Sequence, residues 1–557
     1  MSLLVKKAKT QITDAILAAA SAAFSRDDLP EFTLETPANR EHGDFAANAA
    51  LIWARELHAA PRAIAEKLLS RFSFDNTYIE KCEIAGPGFI NFFLSDEFYA
   101  DVVSDVIEKG DAYGQSDEGQ GKRVLVEFVS ANPTGPMHIG NARGGALGDC
   151  LASVLTAAGY KTEREFYIND AGNQINKFAL SLDLRYLSLY KDGIEMPEDS
   201  YHGEDIIAHA KAFAEIHGDS FVDKSEEERR AALVGFALPK NIESLKADLK
   251  KYRIEYDTWF KESTLHESGA ASEVVEKLKQ SGHTYTLEGA LWFKATDFGC
   301  DKDFVLLRAN GVPTYVVPDI AYHYNKLCVR KFDRAIDILG ADHHGYVPRL
   351  KAALTALGAP ADRLDVVIMQ MVRLVRDGEV IKASKRSGKA ITLVTLLDEV
   401  PIDAARFFFN LREPDSHFDF DLDLAVSESN NNPVFYVQYA HARICSIIRN
   451  LSAEGIKAEL PEKSALLRLT APEERELILY LSSLTDEIIS AAKTYDPARI
   501  THYVTELATR FHKFYAACRV KTEDRDLTLA RLALTNASGI AIKNVLTMLK
   551  VEAPEKM

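Results

Sequence analysis

The chain runs to 557 residues, 47% hydrophobic and 27% charged, with a formal net charge of −16. That length calls for several domains, and that composition for globular packing rather than disorder. The negative balance excludes a surface coated for nonspecific nucleic-acid binding and leaves room for a local basic face.

Residues 1–110 read as a small α/β domain. Leu4–Phe24 has helical spacing. Its apolar run Ala15–Ala23 lies between Asp14 and Arg26-Asp27, which marks an amphipathic helix and not a signal peptide. The polar turn Asn39–Phe45 leads into a helical run over Ala46–His58, and Pro61 opens another helix. Tyr78–Leu94 alternates around Gly86-Pro87-Gly88 as a strand pair, and residues 111–122 form a glycine-rich polar linker.

The densest signal follows. Val124–Val129 is a short β-branched run, the pattern of a buried parallel strand. Asn132-Pro133-Thr134-Gly135-Pro136 continues neither strand nor helix, because each proline lacks a donor and biases its predecessor away from αR. After His138-Ile139-Gly140, the residues Leu147, Leu151, Val154 and Leu155 fall at helical spacing, and Gly159 stops the helix. Strand, tight turn and helix start place His138 where anions bind, with Gly140, Gly144 and Gly145 leaving room for a flat ligand on the backbone. A His-x-Gly turn by itself is also an ordinary helix cap.

Lys161–Ile168 reads as the next strand, with Asn169-Asp170 capping the helix after it. From about 190 to 300 the chain is charged and helical, an insertion between the halves of the sheet. Gly311–Asp319 is a strand-like run entering a helix at Pro318. Ala335–Leu339 is a strand that ends in Gly340-Ala341-Asp342-His343-His344-Gly345-Tyr346, a carboxyl-end loop where ligands bind. Val366–Val372 is a further strand, and behind it Ile381–Lys389 carries four cations with serine and glycine. As a charge run alone, that last segment is a solvated loop.

Residues 433–557 are helical throughout, with 17 Lys and Arg against 15 Asp and Glu, so the acidity lies elsewhere. Apolar spacing through Ile444, Ile448, Leu451, Leu477, Leu481, Leu484, Val504, Leu507 and Phe511 predicts a helix bundle. Tyr436, Tyr439, Arg443, Tyr503, His512 and Tyr515 add aromatic and cationic groups of the kind that stack on unpaired bases. The six cysteines stand singly with no Cys-x-x-Cys, which supports neither a zinc knuckle nor a redox pair and fits a reducing cytoplasm. No apolar run is read as a membrane span, so no membrane partner is expected.

The stretch Ser130–Gly144, followed by Gly148-Asp149, resembles the signature around the HIGH motif of arginyl-tRNA synthetases, a class I family. Asn141 stands where the motif name implies His. Lys382-Ala383-Ser384-Lys385-Arg386 resembles the family's KMSKS loop, with Ala383 for Met and Arg386 for the last Ser, both lysines being kept. The resemblance continues through His42-Gly43-Asp44, Gly86–Asn91, Tyr256–Trp259 with Glu262-Ser263, and the C-terminal Leu549–Met557. It implies an α/β fold: a Rossmann-type parallel-sheet catalytic domain at 111–430, an N-terminal tRNA-contacting α/β domain at 1–110, and a C-terminal all-α anticodon-binding bundle at 431–557.

The implied activity is ATP-dependent attachment of L-arginine to tRNA(Arg) through an arginyl-adenylate, by a cytoplasmic monomer that activates arginine only with tRNA bound. Mg2+ comes with the nucleotide, and no protein metal site is visible. The resemblance assigns His138, Asn141, Lys382 and Lys385 to the phosphates, joined in nucleotide binding by Gly140, Gly340, Asp342, His343 and Ser384. It assigns Glu127, Ser130, Asn132, Tyr315 and Asp319 to arginine, with Tyr315 and Asp319 on the guanidinium, and Tyr436, Tyr439 and Arg443 to tRNA. Two other readings compete. A nucleotidyltransferase sharing the His-x-Gly turn needs no bundle at 433–557, and a noncatalytic tRNA-binding paralogue needs neither His138 nor the two lysines.

Overall fold

The helix Leu3–Phe24 buries Val5, Ala8, Ile12, Ile16 and Ala19 at three- and four-residue steps, as an amphipathic helix over a sheet does. The sheet it covers is antiparallel, ordered β1-β2-β4-β3, from β1 (Leu34–Glu35), β2 (Phe45–Ala47), β3 (Ile79–Ala85) and β4 (Phe89–Leu94). The helical run expected over Ala46–His58 is a strand at its start and a short helix, Ala49–Trp53, after it. Phe45 to Ala47 pair with β4 there, so sheet pairing overrides helix propensity. The computed structural model describes residues 3–37, 39–343, 345–381 and 391–557.

The linker folds against the bundle: Tyr113 is buried and donates to the Leu481 carbonyl, while Asn544 donates to Gly110 and Tyr113 carbonyls. A parallel sheet follows, built in chain order from β5 (Arg123–Glu127), β6 (Lys161–Ile168) and β7 (Thr258–Lys261). An antiparallel sheet of β8 (Thr284–Leu287), β9 (Ala290–Phe293) and β10 (Phe304–Leu307) intervenes. The parallel sheet then resumes on its other side with β11 (Arg334–Gly340) and β12 (Leu364–Met369), giving the order β12-β11-β5-β6-β7. The chain therefore leaves β5 in one direction and returns at β11 in the other. Ligands bind at that switch point, outside the carboxyl ends of β5 and β11.

Several expectations need correction. The stretch from 190 to 300 is not wholly helical: helices Glu204–His217 and Glu226–Lys251 are followed by β7, which joins the main sheet, and by the antiparallel sheet. Gly311–Asp319 is not a strand, since the helix Val316–Tyr324 starts before Pro318. A proline in the first helical turn loses no intrahelical bond there. Asp170 does not cap the next helix; it accepts from the Ser263 backbone and hydroxyl instead. The run Val366–Val372 splits into β12 and β13 (Val372–Arg376), which sits with β14 (Glu379–Val380) and β15 (Phe418–Asp421) in a third small sheet.

Residues 433–557 form the expected bundle, through Pro433–Ala453, Pro472–Ser482, Leu484–Thr494, Ala498–Ala517 and Arg525–Leu549. Among the described residues Arg525–Leu549 has the length and average composition of a membrane-crossing helix, although Asp526, Arg531 and Lys543 interrupt it. Its apolar side chains from Ala530 to Leu549 are buried in the bundle core.

Candidate active site

The exit from β5 is strained. Val129 and Ser130 have φ of 70° and 41°, a left-handed conformation that costs a β-branched residue about 1–3 kcal/mol. Local bonds hold it: Ser130 Oγ donates to Glu127 at 2.8 Å and accepts from the Tyr167 N–H, and Tyr256 OH donates to the Phe128 carbonyl. The double turn re-aims the chain across the sheet's carboxyl edge to His138, the N-cap of the signature helix Ile139–Ala157.

His138 Nδ1 accepts from the Gly140 N–H at 3.1 Å, while Asn141 Oδ1 accepts from the His138 N–H at 3.0 Å, a reciprocal capping box. Burial lowers the His138 pKa, so the ring is neutral at pH 7. With Nδ1 accepting, the proton sits on Nε2, which leaves a donor on an exposed residue. Asn141 has its oxygen committed, so donation to a ligand falls to its amide nitrogen. The room expected at Gly144 and Gly145 is filled by protein. A Cβ on Gly145 would lie 2.7 Å from Ile254, one on Gly144 3.6 Å from Met369, and one on Gly148 2.2 Å from the Phe128 ring. These glycines let the helix press onto the sheet, and only Gly140 of the three first named stands at the open helix end beside His138.

Lys382, Ser384 and Lys385 lie outside the described residues, but the chain on both sides of them is placed. Ile381 N–H donates to Leu374 on β13. Beyond the basic segment, Ile391 accepts from the Ile139 N–H at 3.2 Å and Leu393 donates to Met137 at 2.8 Å, a bridge on either side of His138.

Across the switch point, the helix Val316–Tyr324 brings Asp319 and His323 to the end of β11. His323 Nε2 meets Asp337 Oδ2 at 2.6 Å, and its Nδ1 lies 3.2 Å from Asp319 Oδ1 and 2.8 Å from the Asp319 carbonyl. Lys326 Nζ joins Asp337 at 2.8 Å to Glu127 at 2.5 Å. Burial and Lys326 push the His323 pKa down, Asp319 and Asp337 push it up, and the carboxylates prevail at about 10. Burial raises Asp319, but His323 and the Tyr346 hydroxyl, 2.5 Å from Oδ2, hold it below its ordinary value. Glu127, His323 and Asp337 form a metal-like triad whose oxygens already hold the Lys326 ammonium.

The sign of the His323 shift gives a stability prediction. An unfolded histidine titrates near pH ~6.5, so its stabilising contribution is complete below that and is lost as pH rises through about 10. The wild-type melting temperature should fall over that window by more than that of a His323→Gln variant. Parallel falls would contradict the charged imidazolium.

The structure gathers most of the expected residues at these two strand ends. Asn132 is exposed on the turn, Tyr315 is 78% exposed with its ring 6.0 Å from that of Tyr346, and Gly340, Asp342 and His343 close β11. Asp319 stands at the rim with 31% of its side chain exposed. Glu127 is instead buried, with Ser130 on one oxygen and Lys326 on the other, so it lies beneath the slot rather than at its surface.

In the bundle, Tyr436 and Tyr439 flank His512 with ring centres 5.0 and 6.2 Å away, and Arg443 lies over Tyr439 and Tyr515 at 4.7 and 5.3 Å. Burial and Arg443 push His512 down to about 4, so this partly exposed platform carries a neutral ring. Tyr503 faces inward and is buried.

Sequence reasoning missed the groups that lock the signature helix. Arg143 is fully buried and donates to the carbonyls of Gln370, Glu413 and Ser416, which ties the helix to the segments that lead into β13 and β15. Asp149 accepts from Arg164 and from buried Arg406, which also donates to Leu549 at the end of the last bundle helix. An arginine between alanine and glycine inside an apolar helix was the available signal.

Comparison with known proteins follows the same lines. Residues 102–429 match the family described as tRNA synthetases class I (R), catalytic domain; residues 6–94 match the Arginyl tRNA synthetase N terminal domain, and 437–557 the DALR anticodon binding domain. The chain is 53% identical to the arginine–tRNA ligase of Caldanaerobacter subterraneus subsp. tengcongensis and 51% identical to that of Acetivibrio thermocellus, each over 100% of both chains. A solved putative arginyl-tRNA synthetase from Campylobacter jejuni superposes with a TM-score of 0.74 at 33% identity, covering 83% of this chain and 100% of that one. The Thermus thermophilus arginyl-tRNA synthetase shares the fold, with a TM-score of 0.75 at 24% identity over 98% of this chain and 100% of that one.

Proposed function

The chain belongs to the class I arginyl-tRNA synthetases, and from that premise we propose how its residues divide the work of the reaction. The protein is an arginine–tRNA ligase that uses ATP. In the first step an arginine carboxylate oxygen attacks the α-phosphorus, and pyrophosphate leaves with the electron pair of the broken P–O bond. In the second, a ribose hydroxyl at the tRNA 3′ end attacks the adenylate carbonyl and AMP leaves. Charge builds on the phosphates in the first step, so placed donors and cations supply the catalysis.

His138 Nε2–H and the Asn141 amide donate to the phosphates from the helix end, with Lys382 and Lys385 on the pyrophosphate from the other side. Gly340, Asp342, His343 and Ser384 hold the nucleotide, and Mg2+ enters with ATP as part of the substrate. Ser130 and Asn132 take the α-amino end of arginine, and Asp319 with Tyr315 takes the guanidinium, for which a carboxylate offers the matching planar geometry. Residues 1–110 touch the tRNA body, 111–430 carry the chemistry, and Tyr436, Tyr439 and Arg443 in 431–557 stack on anticodon bases. The enzyme works as a cytoplasmic monomer.

The observation that supports this most is the bridge of Ile391 and Leu393 to Ile139 and Met137, which places the residues that follow 382–390 in the sequence beside His138. The test is arginine-dependent ATP–pyrophosphate exchange with and without tRNA. Exchange should require tRNA, and Lys385→Ala should slow it by about 10²-fold, the scale of one transition-state donor. Exchange without tRNA would overturn the coupling, and wild-type rates in the variant would overturn the lysine assignment. Arg443→Ala should raise the KM for tRNA by about tenfold, the loss of one stacking contact, without changing the KM for arginine. An unchanged tRNA KM would remove the platform from the account.

A further inference from the structure

Six side chains link the two ends of the proposed arginine slot through buried protein. Ser130 Oγ donates to Glu127 Oε1 at 2.8 Å, and Lys326 Nζ bonds Glu127 Oε2 at 2.5 Å and Asp337 Oδ1 at 2.8 Å. His323 Nε2 meets Asp337 Oδ2 at 2.6 Å, and its Nδ1 bonds the Asp319 backbone carbonyl at 2.8 Å with Asp319 Oδ1 at 3.2 Å. Glu127 and Asp337 are register partners on the neighbouring strands β5 and β11, so the ammonium pins the two sides of the switch point to each other. Lys326 is fully buried, and Asp337, His323 and Glu127 nearly so.

Burying such charges is not a cheap route to stability, because well-packed apolar side chains usually do as well. What the charges supply is geometry. His323, bonded through Nε2 to Asp337 and through Nδ1 to the Asp319 carbonyl with the Asp319 carboxylate beside it, holds that helix turn at a fixed distance from Asp337. Tyr346 OH takes the second Asp319 oxygen, and the partly exposed edge of the carboxylate is what remains for a ligand. We infer that the Glu127–Lys326–Asp337–His323 chain is a ruler: it sets the span between Ser130 and Asp319 and so selects amino acids by side-chain length as well as by charge. His323 and Lys326 are positioning residues that touch no substrate. The inference rests on the reading of Asp319 and the Ser130–Asn132 turn as the two ends of the arginine site.

The test measures aminoacylation of tRNA by the full-length enzyme with L-arginine and with L-homoarginine, one methylene longer. The variants are His323→Gln, Asp337→Asn and Asp319→Asn. His323→Gln keeps a donor for only one carboxylate, so the KM for arginine should rise by about tenfold while kcat and the KM for ATP stay within about twofold. The preference for arginine over homoarginine should narrow by about the same factor as the ruler loosens. Asp337→Asn, which keeps the volume, should do the same and serves if His323→Gln fails to fold. If Asp319→Asn weakens arginine binding but His323→Gln and Asp337→Asn change neither KM nor preference, the ruler is refuted and the slot stands. An equal fall in kcat for both amino acids at constant KM would also refute it, since that is the mark of a general structural role. If Asp319→Asn leaves arginine binding intact, the slot itself is refuted and the ruler with it.

Discussion

Asp319→Asn should lower kcat/KM for arginine by about 10³-fold and leave the KM for ATP unchanged. The substitution keeps the shape and removes the charge. It also turns an amide N–H toward a guanidinium that has only donors, so one bond is lost and a repulsive contact made. Breaking one side of a buried, hydrogen-bonded ion pair costs about 3–5 kcal/mol, which corresponds to roughly that factor. The protein should stay folded, because Tyr346 and His323 keep partners on the asparagine and its backbone carbonyl. Steady-state charging at varied arginine and fixed saturating ATP checks it, and a fall of less than about tenfold would remove Asp319 from the guanidinium.

The second large effect separates two jobs held by one ring. His138 caps the signature helix through Nδ1 and offers Nε2–H to the ligand. Asparagine is among the best N-caps, so His138→Asn keeps the helix start and loses the reaching donor. Exchange in the presence of tRNA should slow by about 10²–10³-fold, as for loss of one transition-state donor, with the KM for arginine and the melting temperature unchanged. His138→Ala should show the same kinetic loss and, in addition, about 1 kcal/mol of lost stability. Wild-type exchange in the asparagine variant would mean that the ring acts only as a cap.

What the sequence disclosed was whatever is local. The run Lys161–Ile168, the strand at 335–339, the His138 turn and the bundle helices all carry their signal within a dozen residues, in β-branching, prolines or apolar spacing. The motif residues His138, Asn141 and Asp342 stand at two adjacent strand ends because they follow β5 and β11 in the chain, whereas Asp319 reaches them from the helix that precedes β11. What stayed hidden is held by partners far apart in the chain. Lys326 and Glu127 are 199 positions apart, and Arg143 reaches carbonyls more than 200 residues away. Their burial depends on how β5 and β11 come to lie side by side, and no local pattern encodes it. The left-handed Val129 was hidden for a related reason. Local propensity reads that residue as strand, and only Tyr256 and Ser130, bonding around it, make the turn affordable.

The most direct measurement is an experimental structure of the enzyme with tRNA and a non-hydrolysable arginyl-adenylate analogue. The account predicts the guanidinium paired with the Asp319 carboxylate, the α-amino group at Ser130 and Asn132, and the phosphate mimic within hydrogen-bond distance of His138 Nε2. An analogue seated with its guanidinium away from Asp319, or its phosphate mimic away from His138, would contradict it.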